Sequence, residues 1–263
     1  MPWKPALRET EIGAQSRSEA ARQLLSRAEL QAREIEIPPQ LLSFLYERSR
    51  GPALPFKEWS KYVRTACAID LACQNAFKTK TLDAFTEAAD QQQSLQRVSS
   101  STLVLTFHGA FVSLARLAFV RQVPRGLLMR RADARDGRTA LFGALRSLQG
   151  GRSILLAPDG PYGTRSERLR VLGVKARMAD SAAFLAYATN CATAWYTVVR
   201  RGEEFAVQLE SGPAKQDGED FAGFSLRLEE FYARQIEKIF SGDPKNLSLR
   251  PNWRRTFLDH LNS

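Results

Sequence analysis

Two apolar runs, about fifty residues apart, constrain the fold of this chain more than any other feature. Leu103–Ser113 reads LVLTFHGAFVS, and Ile154–Gly163 reads ILLAPDGPYG. The first run stops at His108, before a glycine, and the second stops at Asp159-Gly160-Pro161. Each pattern is typical of a buried strand that ends in a turn. Because ligands bind outside the carboxyl ends of strands in open α/β sheets, the two runs predict one shared cleft.

Strands and helices alternate along the chain from residue 102 onward. Short apolar runs predict strands over 102–107, 126–129, 153–157, 169–172, 192–199 and 204–210. Helical periodicity predicts helices over 110–120, 137–148, 181–189 and 221–240. This alternation predicts an α/β fold with a mixed central sheet flanked by helices.

The first hundred residues have a different character, because helical periodicity dominates there. It predicts helices over 17–35, 40–48, 56–77 and 81–90, and the polar stretch 91–101 is typical of a linker. We therefore expect a helical N-terminal region, residues 1–100, packed on an α/β core formed by residues 101–263.

The positive charge is concentrated beside the two apolar runs. The chain has 38 Lys and Arg against 28 Asp and Glu, and its formal net charge is +10. Residues 116–177 contain fourteen of the basic and four of the acidic residues, so this segment carries the entire excess. A basic surface beside a cleft favours an anionic substrate, an acidic carrier protein or an anionic lipid surface, and it also suits nucleic acid.

Cysteine content and hydropathy restrict the class of protein further. Three cysteines and two histidines are too few for a disulfide framework and make a Cys/His zinc site improbable. No stretch has the length and apolar character of a membrane span, and residues 1–13 lack the apolar core of a signal peptide. These features predict a cytoplasmic protein with reduced thiols, with peripheral contact at a membrane surface left open.

Both motifs have a catalytic and a purely structural interpretation. A histidine at a strand end can take a proton from a hydroxyl or amine that attacks a carbonyl, whereas a packed histidine only fills space. The loop after Pro158 either contacts a polar headgroup or is a simple turn, since Asp, Gly and Pro favour turns. The chain contains no nucleotide-binding glycine loop and no GxSxG motif of serine hydrolases.

Several segments, taken together, resemble a known family. In order they are FHGAFVS, RADARDGR, LRSLQGGRSILLAPDGPYG, SAAFLAYATNCATAWYTVV and the tail segment NWRR at 252–255. Their order and spacing are similar to those of the glycerophospholipid/lysophospholipid acyltransferase superfamily, and most similar to its bacterial lipid A lauroyl and myristoyl transferases. The resemblance covers residues 100–255 and implies an acyltransferase-like fold.

The resemblance implies that His108, as the His of the HxxxxD motif, acts as general base on an acceptor hydroxyl or amine. The acyl donor is then a thioester of acyl carrier protein or CoA, and no metal or bound cofactor is needed. Ser113 stands at the position of the motif's Asp and is predicted as the second catalytic residue, a hydrogen-bond acceptor without charge. If the site is active, Asp133, Asp136 or Asp159 is expected to supply the missing carboxylate. The resemblance places substrate-binding roles on Arg131, Arg135, Arg138, Asp159, Gly160 and Pro161.

Two other functions remain open at this stage. Because Ser113 replaces the Asp, the chain is alternatively a degenerate relative that binds acyl carrier, lipid or an anionic inner-membrane surface without transferring an acyl group. The basic segment also permits nucleic-acid binding, but the absence of a recognisable nucleic-acid motif disfavours this function.

Overall fold

The computed structural model describes residues 26–49, 54–78, 101–109, 111–123, 125–129, 137–159, 165–166, 169–202 and 204–263. The strands of these residues are β1 (Thr102–Leu105), β2 (Leu127–Leu128), β3 (Ile154–Leu156), β4 (Arg165–Ser166), β5 (Arg170–Val171), β6 (Val174–Lys175), β7 (Met178–Ala179), β8 (Ala192–Arg201) and β9 (Glu204–Ser211). The helices are α1 (26–31), α2 (Pro39–Arg48), α3 (Phe56–Lys78), α4 (Val112–Gln122), α5 (Gly137–Gln149), α6 (Ser181–Thr189), α7 (Phe221–Phe240) and α8 (Pro251–Leu261). Short 3₁₀ helices occupy Ala32–Glu34 and Pro244–Asn246.

The central sheet of the described residues has five strands in the order β2-β3-β1-β8-β9. Strands β2, β3, β1 and β8 are parallel, whereas β9 is antiparallel to β8 and forms one edge. The predicted mixed α/β sheet flanked by helices is therefore confirmed. The β8–β9 hairpin and helices α6 and α7 also lie where the sequence predicted them.

The register of β1 against β3 determines which loop residues meet at the sheet edge. Leu105 lies opposite Leu156, an offset of 51 residues along the chain. Both strands end at this pair, before the predicted ends at 107 and 157. The Thr106 N–H still donates to the Leu156 carbonyl, and the chain then turns where the Gly109 N–H donates to the Phe107 carbonyl. Residues three positions beyond each strand end are therefore brought to the same edge of the sheet.

Two hydrophobic clusters cover the two faces of the sheet. Alternate residues of a strand point to opposite faces. On β8, Trp195 belongs to one cluster and Tyr196 to the other, and on β1, Leu103 and Val104 divide in the same way. Helices α2, α6, α7 and α8 contribute to the first cluster, whereas α4 lies in the second. The sheet is therefore covered on both faces, as expected for its parallel part.

The described part of the N-terminal region packs on this core. Helix α3 contacts α4 and the 3₁₀ helix at Pro244–Asn246, and α2 contacts α8. The predicted helix over 81–90, the polar stretch up to residue 100 and the start of the predicted helix at 17 lie outside the described residues. Within the described residues, none of the helices combines the length and the apolar character that crossing a bilayer requires.

Candidate active site

His108 and Asp159 meet at the carboxyl edge of the sheet, between β1 and β3. Each lies three residues beyond its strand, so the two are separated by the same 51 positions as the paired strand residues. The His108 N–H donates to both carboxylate oxygens of Asp159, at 3.1 and 2.9 Å. The backbone of the loop after β1 is thus bound by the side-chain carboxylate of the loop after β3.

The imidazole of His108 also contacts the carboxylate. His108 Nδ1 lies 3.0 Å from Asp159 Oδ1. The His108 side chain is 24% exposed, whereas that of Asp159 is 3% exposed. A buried carboxylate that orients a solvent-accessible imidazole is the arrangement by which general-base histidines are held in a productive orientation.

Asp159 receives further hydrogen bonds from the C-terminal half of the chain. Trp253 Nε1 donates to Oδ2 at 2.7 Å, Asn252 Nδ2 donates to Oδ2 at 3.2 Å, and the Tyr232 hydroxyl lies 3.0 Å from Oδ1. Burial alone raises the pKa of the Asp159 carboxyl, but attraction to the protonated form of His108 and hydrogen bonds from His108 and Trp253 outweigh it, so the pKa lies below its usual value. Asp159 is therefore a carboxylate at neutral pH.

A tight turn after β1 presents His108 to the cleft. The Val112 N–H donates to the Gly109 carbonyl at 3.1 Å. A Cβ on Gly109 would lie 2.4 Å from the Phe107 ring and 3.1 Å from the Ser248 carbonyl, so only glycine fits there without movement. Phe111, which precedes α4, has a left-handed backbone with φ of 56°. Such strained positions persist where the surrounding packing fixes them, and Phe111 is fully buried.

The second ring nitrogen of His108 faces a cation. Arg116, on α4, places Nη2 3.3 Å from His108 Nε2. A guanidinium only donates hydrogen bonds, so Nε2 is the acceptor in this contact. With Asp159 accepting from Nδ1, the hydrogen-bond network assigns the neutral tautomer that carries its proton on Nδ1. Nε2 is thus the nitrogen that can take a proton from a substrate.

Ser113 lies in a different hydrogen-bond network, in the first turn of α4. Arg250 Nη2 donates to Ser113 Oγ at 3.3 Å. The same guanidinium makes a bidentate ion pair with Asp70 on α3, at 2.7 and 2.8 Å, and Ser248 donates to Asp70 at 2.8 Å. Among the described residues, the polar partners of the His108 ring are Asp159 and Arg116, and Ser113 contacts Arg250 instead.

The structure describes only some of the other residues that the sequence predicted for the site. Arg138 lies in the first turn of α5. The other predicted positions lie outside the described residues: Arg131, Asp133, Arg135, Asp136, Gly160 and Pro161. No group of three or more His, Cys, Asp or Glu side chains within the described part of the chain is arranged to hold a metal ion.

The sequence analysis did not identify Tyr232 or Arg116 as site residues, and it noted Asn252 and Trp253 only within the tail resemblance. Both tail residues belong to α8, a helix that it also missed. A signal was available, because Pro251 occupies the first turn and buried Trp253 and Phe257 are spaced i, i+4. Tyr232 is one of many apolar positions on α7, and nothing in its local pattern marks it.

Comparison of the chain with models of protein families finds no match, and a search of curated proteins finds no significant similarity.

Proposed function

We propose that this chain is an acyltransferase that moves an acyl group from a thioester of acyl carrier protein or CoA to a hydroxyl or amine acceptor. The observation that carries the proposal is the 3.0 Å contact between His108 Nδ1 and the buried carboxylate of Asp159. The contact supplies the carboxylate that Ser113 does not provide. It also supports the acyltransferase-like fold and family that the sequence motifs suggest.

The first step of the proposed reaction is the attack on the thioester. His108 Nε2 takes the proton of the acceptor hydroxyl, and the acceptor oxygen forms a bond to the thioester carbonyl carbon. The carbonyl π electrons move to oxygen and give a tetrahedral oxyanion. Asp159 keeps the ring oriented and stabilises the imidazolium that forms, without taking up the proton itself.

The second step releases the thiol. The oxyanion collapses, the carbon–sulfur bond breaks, and His108 Nε2 returns its proton to the departing sulfur. Arg116 Nη2 lies 3.3 Å from Nε2, so the acceptor hydroxyl displaces this contact when it binds. The displaced guanidinium stays close to the reacting atoms, where a positive charge favours the developing oxyanion.

The proposal is tested with purified protein and radiolabelled acyl carrier protein and acyl-CoA donors against a panel of hydroxyl and amine acceptors. We expect transfer by the wild type and a loss of about 10²- to 10⁴-fold in kcat/KM for H108A, the range for removal of a general base. The control is K57A, which truncates an exposed side chain on α3. Full activity of H108A, or equal losses in H108A and K57A, would exclude His108 as the base.

The chain is alternatively a degenerate relative that binds an acyl carrier or lipid without transfer. The observation in its favour is that Ser113 contacts Arg250, so the HxxxxD pattern is not restored by a neighbouring carboxylate on α4. Absence of transfer by the wild type with every donor, together with retained binding of acyl carrier protein or lipid vesicles, would select this function.

A further inference from the structure

A cavity opens next to Asp159, between the β5–β6 hairpin and α8. Its volume is about 750 Å³. Asp159, Asn252 and Trp253 line it on the side of the proposed catalytic pair, and the hairpin lines it with Gly173–Arg177. The described lining of the cavity thus comes from the loop after β3, the β5–β6 hairpin and α8.

Basic side chains dominate the charged lining that the structure describes. Arg170, Lys175 and Arg177 come from the hairpin and the residues after it, and Arg255 comes from α8. The described acidic lining residues are Asp159 and Asp259. The carboxylate of Asp159 already accepts hydrogen bonds from His108, Trp253 and Asn252, so the cavity retains an excess of positive charge.

The hairpin places two of these cations directly opposite each other. Arg170 and Lys175 are register partners in the β5–β6 ladder, and both are exposed. Like charges at directly opposite positions destabilise a two-stranded ladder. An anion bound between the two side chains would remove this repulsion, so the arrangement favours an occupied state.

The hairpin is held rigidly enough to present these charges. Its turn, Leu172-Gly173, has φ of 53° and 80°, the two positive values that a tight hairpin turn requires. Leucine adopts this backbone at a cost, and two side chains hold it there. Arg48 Nε donates to the Leu172 carbonyl at 3.1 Å, and the Leu172 N–H donates to Glu237 at 2.7 Å.

We propose that this cavity binds a phosphate group, with Arg170, Lys175, Arg177 and Arg255 as its ligands. Guanidinium groups bind phosphate oxygens in a two-point geometry, and lysine adds a point charge. Phosphate binding stands on the cavity alone, whereas placing this phosphate on an acyl-transfer substrate rests on the proposed function. Because the cavity adjoins Asp159, the phosphate belongs either to the phosphopantetheine arm of the donor or to the acceptor.

Calorimetric titration of the full chain tests the site without requiring activity. The probes are 4′-phosphopantetheine and glycerol 3-phosphate, with pantetheine and glycerol as their phosphate-free counterparts. We expect phosphate-bearing probes to bind more tightly than the matched alcohols, and affinity to fall with salt. Tighter binding of 4′-phosphopantetheine assigns the site to the donor, and tighter binding of glycerol 3-phosphate assigns it to the acceptor. Equal affinity of each probe and its phosphate-free counterpart overturns the proposal.

Variants locate the binding. K175Q and R255Q each remove one charged partner, and we expect each to weaken binding by about tenfold or more, the effect of losing one charged hydrogen bond. The control is K57Q, which removes the same charge from an exposed position on α3. An equal effect of K57Q, or no effect of the two cavity variants, refutes the site.

The two proposals fail separately. If the wild type transfers acyl groups, and K175Q and R255Q leave the affinity for phosphate probes and the KM unchanged, the acyltransferase proposal is supported and the phosphate site is refuted. Phosphate binding that these variants weaken, in a protein that transfers no acyl group, would establish the site and overturn the proposed function.

Discussion

Replacing Asp159 with Asn changes one carboxylate oxygen to an NH₂ group and so tests the contact between His108 and Asp159. The amide has one acceptor oxygen and one donor group, whereas the carboxylate has two acceptor oxygens. Trp253 Nε1–H and Asn252 Nδ2–H both point at Oδ2, so the amide oxygen must occupy that position. The amide NH₂ then faces His108 Nδ1, which lies 3.0 Å from Oδ1 in the wild type. This contact is satisfied only if Nδ1 becomes an acceptor and the proton moves to Nε2.

The wrong tautomer gives the expected magnitude for D159N. A histidine protonated on Nε2 cannot take a proton there, and the equivalent change in the serine-protease triad lowers kcat about 10⁴-fold. We expect D159N to lower kcat by about 10²- to 10⁴-fold. The KM for the donor should change little, because Asn has nearly the same size and shape as Asp and leaves the geometry of the site intact. The control is D217N, an exposed aspartate in a surface turn.

Stability provides an independent measurement for the same variant. Loss of the charged acceptor for His108 and Trp253 is expected to cost about 2–4 kcal/mol in the free energy of unfolding at pH 7. The pKa of Asp159 is lowered in the folded state, so its contribution is complete above the unfolded value of about 4 and is lost as pH falls through the folded pKa. Urea unfolding curves of wild type and D159N should therefore converge below about pH 4. A stability difference that persists unchanged at low pH, or a kcat within about threefold of wild type, contradicts this account of Asp159.

Three further predictions follow from the contacts of other buried groups. R250M leaves the buried Asp70 carboxylate without its cationic partner, with Ser248 still donating to it, and should cost about 3–5 kcal/mol in urea unfolding, with D70N/R250M recovering part of the loss. S113D brings a second carboxylate to the guanidinium that already pairs with Asp70, so we expect lower stability and no gain of transfer activity; a gain would show that the HxxxxD pattern is required. Burial raises the pKa of every thiol, so an aromatic disulfide reagent at pH 8 should label the native chain slowly and the urea-unfolded chain at all three cysteines; rapid native labelling would contradict their burial.

The sequence predicted the sheet well because each central strand carries a strong local signal. Helices α6 and α7 were placed at their observed bounds, since Ala-rich and amphipathic periods begin and end sharply there. The polar residues that follow the two apolar runs predict that His108 and Asp159 lie at one edge of the sheet. Each residue lies three positions beyond its strand, and the strands are parallel with Leu105 opposite Leu156. The two side chains are close together for this reason.

Tertiary contacts between distant segments were not accessible in the same way. Tyr232 is 73 positions from Asp159 along the chain and Trp253 is 94 positions away, and neither spacing follows a local period. The Arg250–Asp70 pair spans 180 positions. Such contacts depend on how α3, α7 and α8 pack around the sheet, which hydrophobic periodicity alone does not specify.

His108 has a carboxylate partner although position 113, five residues further along the chain, is a serine. The carboxylate comes from Asp159, in the loop that follows the neighbouring strand β3. Asp159 is fixed by Trp253 and Asn252 from α8, and Arg250 at the start of that helix is fixed by Asp70 from α3. The position of Ser113 is then available to accept a hydrogen bond from Arg250, and an Asp there would compete with Asp70 for the same guanidinium. Asp159 therefore orients the His108 ring, and α8 holds Asp159 in place. An acidic residue at position 113 would have no role in orienting His108, because Asp159 already fills that role.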